Sequence, residues 1–236
     1  MRAISLLGTV TCLAFAPLFC HAQAPVAEQE YKLIVPAQPT SAGAKKVEIV
    51  EVFSYGCPHC NDFEPHLKKW KAGKSKDVDF VYMPAMFGEP QAPAAKLYYT
   101  IEEMGLVEKL HEKIYDEVHK RHNTAMLNDS ALMAKWIGEQ GVDAKRFQET
   151  FDSFGVANNV SRATQMMRAY HITGTPSVVV NGKYLTAPSM VMNASGADHG
   201  RLFSVIDQLI AMEHQEPAKK ETKKEAKKKK EASATK

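Results

Sequence analysis

The chain has 236 residues, of which 44% are hydrophobic, and a formal net charge of +3. This length suits one full domain with room for an inserted second unit, and the apolar fraction suits a fold with a buried core. The positive charge is concentrated in residues 216–236, which hold nine lysines and four glutamates, so the rest of the chain is mildly acidic. The overall basic balance therefore gives no reason to expect a nucleic-acid partner.

The first 22 residues have the layout of a secretory signal peptide. Arg2 gives the N-terminus a positive charge, and an uncharged apolar run continues to Phe19. Ala22 is the last residue of a cleavage site of small residues, and we expect cleavage after it. Pro17 interrupts the apolar run, which is shorter than the roughly 20 residues of a spanning helix, so an uncleaved anchor is the weaker alternative. The sequence therefore predicts an exported protein.

Export changes the cysteine count. Of the four cysteines, Cys12 and Cys20 lie in the predicted signal peptide, and Cys57 and Cys60 remain in the mature chain. Exported proteins often carry structural disulfides, whereas this chain keeps one pair separated by two residues. A lone dithiol of this kind favours a redox role.

The first part of the chain alternates strand-like and helix-like patterns. We predict two strands, a helix and a further strand, in the order Glu30 to Val35, Val47 to Ser54, Asn61 to Lys71 and Val78 to Met83. Pro65 lies inside the helix and is expected to bend or crowd it. A strand, helix and strand of these lengths imply a parallel pair joined by a crossover.

The middle of the chain shows helical periodicity and no convincing strand. We predict five helices there, namely Ala94 to Met104, Leu106 to Val118, Asp129 to Gln140, Asp143 to Phe154 and Asn158 to Tyr170. Strand patterns return at Ser177 to Val180 and Lys183 to Leu185, joined by the hairpin turn Asn181-Gly182. A helix from Asp198 to Met212 ends the pattern.

This order indicates an α/β fold in which a helical insert separates two halves of one sheet. We predict a signal peptide, an N-terminal strand with its connector, a first half, a helical insert, a second half and a lysine-rich disordered tail, with the boundaries 1–22, 23–46, 47–88, 89–167, 168–213 and 214–236. The tail has almost no apolar residues and cannot fold alone, but its lysines allow a weak attraction to anionic membranes. We expect the insert helices to flank the functional site and shape a groove.

The most informative motif is Cys57-Pro58-His59-Cys60, placed between a buried strand and a helix. A helix N-terminus presents unpaired N–H groups and a partial positive charge, which favour a thiolate over a thiol. We expect Cys57 to be the exposed nucleophile and Cys60, one turn later, to be shielded. Pro58 fits the first helical turn, and the imidazole of His59 near the Cys57 sulfur favours the thiolate further. A stable thiolate is a good leaving group, so the motif predicts a site that donates its disulfide.

Other interpretations of the motif fit less well. No second cysteine pair or spaced histidine pair completes a zinc site, and haem attachment needs a histidine directly after Cys60, where Asn61 stands. A structural disulfide across so short a loop adds little stability. We therefore expect no metal and no cofactor other than the Cys57–Cys60 disulfide itself.

The chain resembles the DsbA-type thiol:disulfide interchange proteins of the bacterial periplasm, which belong to the thioredoxin superfamily. The stretches that carry the resemblance are Val50 to Cys60 and Gly174 to Tyr184, within a similarity that extends from Glu30 to Met212. The dithiol motif combined with a downstream Gly-x-Pro before a hairpin is specific to this family, whereas either feature alone is only a moderately specific signal. The resemblance implies a thioredoxin fold with an inserted helical domain and a periplasmic location.

The resemblance also implies roles for residues outside the motif. Pro176 corresponds to a cis-proline that lies beside the dithiol and shapes the substrate-binding surface. Thr175 stands before it, where many relatives have valine, and we expect its hydroxyl to moderate the oxidising strength. Glu51 corresponds to a buried acid that relays a proton during the release of Cys60, although a strand-edge acid in solvent is an alternative. Val81 stands where family members often carry a lysine near this acid.

The activity that the resemblance implies is that of a monomeric disulfide oxidase. Its substrates are reduced exported polypeptides, which attack Cys57, and a quinone-linked membrane protein resembling DsbB restores the disulfide. A disulfide isomerase or reductase of the same superfamily is the first alternative, which Thr175 favours. A non-enzymatic thiol-based metal carrier or holdase is a weaker one, because two thiols alone select metals poorly.

Overall fold

The computed structural model describes residues 23–43, 46–74 and 78–215. The predicted signal peptide and the lysine-rich segment 216–236 lie outside the described residues, so the structure leaves both as predictions. Among the residues that the structure describes, no helix has the length and apolar character needed to cross a membrane.

A five-stranded sheet forms the centre of the fold. Its strands β1 to β5 are, in chain order, Lys32–Leu33, Val47–Phe53, Val78–Pro84, Ser177–Val180 and Tyr184–Thr186. They lie side by side in the order β1-β5-β4-β2-β3, with β2 and β3 parallel and the other neighbours antiparallel. The predicted parallel pair and α/β class are confirmed. The predicted first strand, Glu30 to Val35, is too long, because β1 pairs with β5 over two residues only.

Seven helices are present in the described part of the chain. Helices α1 to α6 span Pro58–Ala72, Ala92–Glu103, Val107–Tyr115, Ser130–Glu139, Ala144–Phe151 and Phe154–Ala169, and α7 covers 199–215. A turn of π-helix, Asp116–Lys120, extends α3, and a two-stranded hairpin, β6 (Met192–Asn193) and β7 (Gly196–Ala197), precedes α7. The prediction of five helices between the two halves of the sheet is confirmed in number, and the short β6–β7 hairpin was not predicted.

Side-chain caps explain where several helices begin. The carboxylates of Asp129 and Asp143 accept hydrogen bonds from the first N–H groups of α4 and α5. The hydroxyl of Ser153 does the same for α6 and accepts from the N–H of Val156 at 3.2 Å. The helix predicted from Asn158 therefore starts four residues earlier, at Phe154.

An aromatic cluster joins the helical insert to the sheet. The ring of Phe53, at the end of β2, lies 5.2 Å from Tyr98 of α2 and 5.9 Å from Tyr82 of β3, measured between centroids. On another part of the core, Phe203 of α7 stacks against Phe63 and Trp70 of α1. All seven residues of β2 are buried. The segment that follows β2 is therefore held by packed elements from both halves of the fold.

The predicted hairpin turn is confirmed and fixes the N-terminal connector. Asn181 and Gly182 both have positive φ, 51° and 63°, as a tight two-residue hairpin turn requires. The N–H of Gln38 donates to the carbonyl of Gly182 at 2.9 Å. A Cβ on Gly182 would meet the Gln38 carbonyl oxygen at 2.2 Å, so only glycine fits there.

We predict that Gly182→Ala lowers the free energy of unfolding by about 3 kcal/mol, the sum of backbone strain and a backbone clash. Gly105→Ala is the matched control, since Gly105 has φ of 70° but no atom within 4 Å of an added Cβ. Strain alone should cost about 1 kcal/mol there. Urea unfolding of both variants checks this, and equal costs would contradict the close contact with Gln38.

Candidate active site

The motif lies where β2 ends and α1 begins. Cys57 is the N-cap residue of α1, in extended conformation, and Pro58 is the first helical residue. A turn closed by the hydrogen bond from the Cys57 N–H to the carbonyl of Ser54, 3.0 Å long, leads into the helix. The structure therefore confirms the predicted positions of Cys57 at the helix N-terminus and of Pro58 in the first helical turn.

The two thiols lie in different environments. Both are free cysteines, with Cys57 partly exposed and Cys60 fully buried. The pKa of Cys57 is lowered to about 5, and the largest cause is a hydrogen bond from Cys60. A hydrogen bond from Thr175 and the backbone N–H groups of Cys60 and His59 lower the pKa further. Burial of the thiol has the opposite effect. A partly exposed thiolate that is stabilised in this way can act chemically as a nucleophile and as a leaving group.

Cys60 is held as a thiol. Its pKa is raised well above the usual range by the hydrogen bond that it gives to Cys57, by burial and by the negative charge of Cys57. The N–H of Ser54 points at its sulfur over 3.5 Å, which opposes the shift only in part. The prediction that Cys60 is shielded is confirmed.

Thr175 and Pro176 face the dithiol from the second half of the fold. The Thr175–Pro176 peptide bond is cis, and the carbonyl oxygen of Thr175 lies 3.5 Å from the Cys57 sulfur. The side chain of Thr175 also stabilises the Cys57 thiolate. A stabilised thiolate favours a more oxidising pair, and the expectation that Thr175 moderates the oxidising strength stays a prediction.

His59 and the neighbouring surface differ from the sequence-based expectation. His59 lowers the pKa of Cys57 through its backbone N–H, whereas the sequence suggested its imidazole. Its side chain lines a cavity of about 1090 Å³ beside the cis-proline. The other walls of this groove come from β1 and the residue after it, from β5 and from the segment before α7, and include Ile34, Leu185, Pro188 and Met190. The sheet and its loops form most of this groove, and Tyr170, directly after α6, also lines it. A second cavity lies between α1 and the insert, lined by residues such as Asp62 and Tyr115, so the expectation that the insert helices flank the site is confirmed in part.

Glu51 lies within the core and not in solvent. It is fully buried in the middle of β2, and neither carboxylate oxygen has a hydrogen-bond partner among the described residues. Burial and the nearby charge of Glu64 raise its pKa, and Lys71 of α1 opposes them. The alternative of a solvent-exposed strand-edge acid is therefore wrong. Lys71 provides a nearby positive charge. The register partner of Glu51 in β3 is Tyr82, whereas Val81, where the resemblance suggested a family lysine, pairs with Val50.

Sequence reasoning missed a second buried carboxylate, Glu64. Its Oε1 accepts a hydrogen bond from the hydroxyl of Tyr82 at 2.9 Å, and its Oε2 lies 3.7 Å from Nε2 of His111. Glu64 follows Cys60 by four residues, which places both on one face of α1. That spacing could have identified Glu64, whereas nothing in the sequence pattern indicates that His111 of α3 reaches it.

A histidine of the insert also supports the loop before the motif. Nε2 of His119, within the π-helical turn, lies 2.8 Å from the backbone oxygen of Tyr55. The hydroxyl of Tyr55 in turn lies 2.8 Å from Nδ1 of His111. These two contacts connect the insert to the residues directly preceding Gly56 and Cys57. Short π-helical turns are frequent at functional sites.

We predict that the Cys57 thiolate of the reduced protein titrates with a midpoint near pH 5, followed by its ultraviolet absorbance. Thr175→Val should raise this midpoint, because the hydrogen bond from the hydroxyl is lost. Thr175→Ser keeps a hydroxyl and serves as the control with a midpoint close to that of the parent. A titration near pH 9 in the parent, or equal midpoints in all three proteins, would contradict the account.

The same shift makes the stability of the reduced protein depend on pH. The usual Cys57 pKa of 9.0 applies to the unfolded chain and a value of about 5 to the folded one, so the folded state binds fewer protons between these values. We therefore expect the free energy of unfolding of the reduced protein, relative to that of the oxidised protein, to increase with pH across this window. Below the window, this additional stability of the reduced protein should be absent. Urea unfolding of both forms at several pH values measures this. The free energy of unfolding of reduced Cys57→Ser should lack this increase with pH. A difference between the reduced and oxidised parent that does not change with pH would refute the prediction.

Comparison with known proteins agrees with this geometry. Residues 48–200 match the model of the DSBA-like thioredoxin domain. The chain is 36% identical over 198 residues to the thiol:disulfide interchange protein DsbA of Bordetella parapertussis, covering 84% of this chain and 91% of that one. It is 35% identical over 173 residues to the protein of the same name from Burkholderia cepacia, covering 73% and 81%.

Solved structures show the same similarity. The crystal structure of Pseudomonas aeruginosa DsbA superposes with a TM-score of 0.74 at 32% identity, covering 81% of this chain and 95% of that one. Reduced DsbA1 from Neisseria meningitidis gives a TM-score of 0.70 at 25% identity, covering 84% and 99%. With its dithiol at the N-terminus of α1 facing a cis-proline, the chain belongs to the DSBA-like thioredoxin domain family.

Proposed function

We propose that Cys57 and Cys60 form the redox centre of this protein disulfide oxidoreductase and donate their disulfide to exported polypeptides. The observation that carries the proposal is the contrast between the two thiols. Cys57 is partly exposed with its pKa lowered to about 5, whereas Cys60 is buried with its pKa raised. This arrangement stabilises the reduced form, so the oxidised form readily gives up its disulfide.

The reaction proceeds by two thiol–disulfide exchanges. A substrate thiolate attacks the Cys57 sulfur, the Cys57–Cys60 bond breaks, and Cys60 takes up a proton as it leaves. A second substrate thiolate attacks the substrate sulfur of the mixed disulfide and displaces Cys57 as a thiolate. The substrate loses two electrons and gains a disulfide, and the Cys57–Cys60 disulfide takes up both electrons.

Glu51 supplies the proton that Cys60 needs. Burial raises its pKa, which favours the protonated carboxyl, and its negative charge when ionised raises the pKa of Cys60, which supports an interaction between the two groups. Cys60 cannot take this proton from bulk water directly, because it is fully buried.

The groove beside Thr175 and Pro176 is the substrate-binding surface. Its apolar walls accept an extended, unfolded segment, and the cis-proline places the backbone of Thr175 next to Cys57. Apolar contacts with no fixed sequence requirement suit an enzyme that acts on many partly folded chains.

The cellular setting follows from the predicted signal peptide. The mature protein acts as a monomer in the periplasm, and a quinone-linked membrane protein similar to DsbB reoxidises the pair. The redox disulfide is its own cofactor. The Thr175 hydroxyl stabilises the Cys57 thiolate, which favours the oxidase over the isomerase or reductase alternative.

We predict that Cys60→Ser accumulates a mixed disulfide between Cys57 and a reduced substrate, because the resolving thiol is absent. Cys57→Ser should form none and should abolish oxidation of the substrate. Non-reducing electrophoresis of each variant with a reduced, unfolded secretory protein distinguishes them. If Cys57→Ser still oxidised the substrate, the proposed function would be wrong.

A further inference from the structure

The groove beside Thr175 and Pro176 carries more basic than acidic side chains. The acidic and basic side chains among the residues that line it are Lys32, His59, Asp62, His171 and His199. Asp62 is the one acid in this set. The chain without residues 216–236 is mildly acidic, so the excess of basic groups is a local feature of the groove and does not follow from the overall composition.

Lys32 and His171 supply basic groups that no neighbouring acid neutralises. Lys32 lies on β1, which is the edge strand of the sheet, and its side chain is exposed. His171 is also exposed and precedes Thr175 by four residues. Neither side chain makes a hydrogen bond or an ion pair with another residue of the described ranges. Both are therefore available to a segment that lies in the groove.

The start of α1 adds positive character on the side of the dithiol. His59 is the second residue of α1, follows Cys57 by two residues and is exposed. The N-terminus of a helix carries a partial positive charge, which favours nearby anions. In the oxidised protein, which is the form that meets a reduced substrate, Cys57 is part of a disulfide and carries no negative charge to offset these groups.

The acid at the other end of the groove already faces basic groups. The negative charge of Asp62 raises the pKa of His199, whereas burial and the neighbouring His66 lower this pKa. The rings of His66 and His199 lie 4.3 Å apart between centroids. Asp198 acts on His199 from its own helix, where its carboxylate accepts a hydrogen bond from the N–H of Arg201 at 2.8 Å. Protonation of His199 in acid solution therefore offsets the charge of Asp62.

Given the proposed function, in which this groove binds the substrate, we propose that it favours unfolded segments with Asp or Glu residues beside their cysteine. The apolar residues of the segment pack against walls such as Ile34 and Met190, and its carboxylates lie near Lys32 and His171. Each exposed charge pair contributes only modestly, so the carboxylates give a preference among segments and not a strict requirement. Histidine side chains gain charge between pH 8 and 5, so the preference increases as the pH falls.

The test measures how fast thiol peptides reduce the full mature chain in its oxidised form. Three peptides share one cysteine and the same apolar residues, and they carry Glu, Gln or Lys at the same two positions beside the cysteine. Each rate constant is divided by that of the same peptide with dithiodipyridine, a small uncharged disulfide. This division removes the effect of peptide charge on the reactivity of the thiol itself.

At neutral pH and low ionic strength, we expect the normalised rate constant of the Glu peptide to be at least about fivefold that of the Lys peptide. The Gln peptide should fall between them. The ratio of Glu to Lys should approach one in high salt, because salt screens exposed charges. It should increase at about pH 6, because the histidines of the groove become more positive.

Substitutions in the groove locate the effect. Lys32→Gln combined with His171→Asn should lower the ratio at least about twofold, and asparagine is chosen because position 171 has φ of 57°. Lys32→Arg keeps the charge and should keep the ratio. Lys135→Gln on α4 is the matched control with an unchanged ratio, because Lys135 is exposed, lies outside the groove and has no ion pair within the described ranges.

Three results would overturn the proposal. These are a ratio near one in the parent at low ionic strength, a preference for the Lys peptide, and a parental ratio in the double variant. The last result would assign the preference to charges elsewhere, such as the lysines of residues 216–236. If substrate oxidation still depends on Cys57, each of them leaves the proposed function intact. Oxidation that survives in Cys57→Ser would instead overturn the proposed function, and the charge preference with it.

Discussion

The hydrogen bond from the Cys60 thiol to the Cys57 thiolate is the interaction on which this site depends. It is the largest cause of both pKa shifts, lowering one and raising the other. The start of α1 places Cys57 where backbone N–H groups reinforce the thiolate, and the buried face of the helix holds Cys60 as a thiol. Forming the disulfide removes this hydrogen bond and the charge that it stabilises. The folded protein therefore favours the reduced pair, which makes its oxidised form an oxidant.

Shielding Cys60 has a consequence for the rest of the core. A buried sulfur that gains and loses a proton needs an acid nearby, and Glu51, in a strand whose seven residues are all buried, is the acid that we propose for this role. An isolated carboxylate there would be costly, so burial raises its pKa and favours the neutral form. Glu64, whose charge acts on Glu51, accepts a hydrogen bond from Tyr82 and lies near His111, and these three residues line a cavity between α1 and α3. The helical insert supplies His111 and His119, which contact Tyr55, so it supports the loop before the motif as well as packing against the sheet.

Local sequence patterns predicted most of the strands, helices and turns near the site. They did not predict the contacts between segments that are far apart in the chain. The strand before the motif, the placement of Pro58 and the Asn181-Gly182 turn are dictated by neighbouring residues, and the structure confirms them. Glu51 stood out because a carboxylate is unusual in an apolar strand. The pairing of Glu64 with His111 joins residues far apart in the chain, and the groove depends on how loops of the second half fold over β1 and β5. Helix ends shifted where a cap such as Ser153 outweighed periodicity.

The reduction potential of the Cys57–Cys60 pair tests the central claim most directly. Equilibration of the protein with glutathione buffers of graded ratio, followed by acid quench and mass measurement of alkylated cysteines, gives this value. The account predicts a potential well above that of glutathione, so that the pair is mostly reduced in buffers where glutathione itself is largely oxidised. A pair that stays oxidised in a strongly reducing glutathione buffer would contradict it, because the disulfide would then be more stable than the dithiol that the fold is proposed to favour.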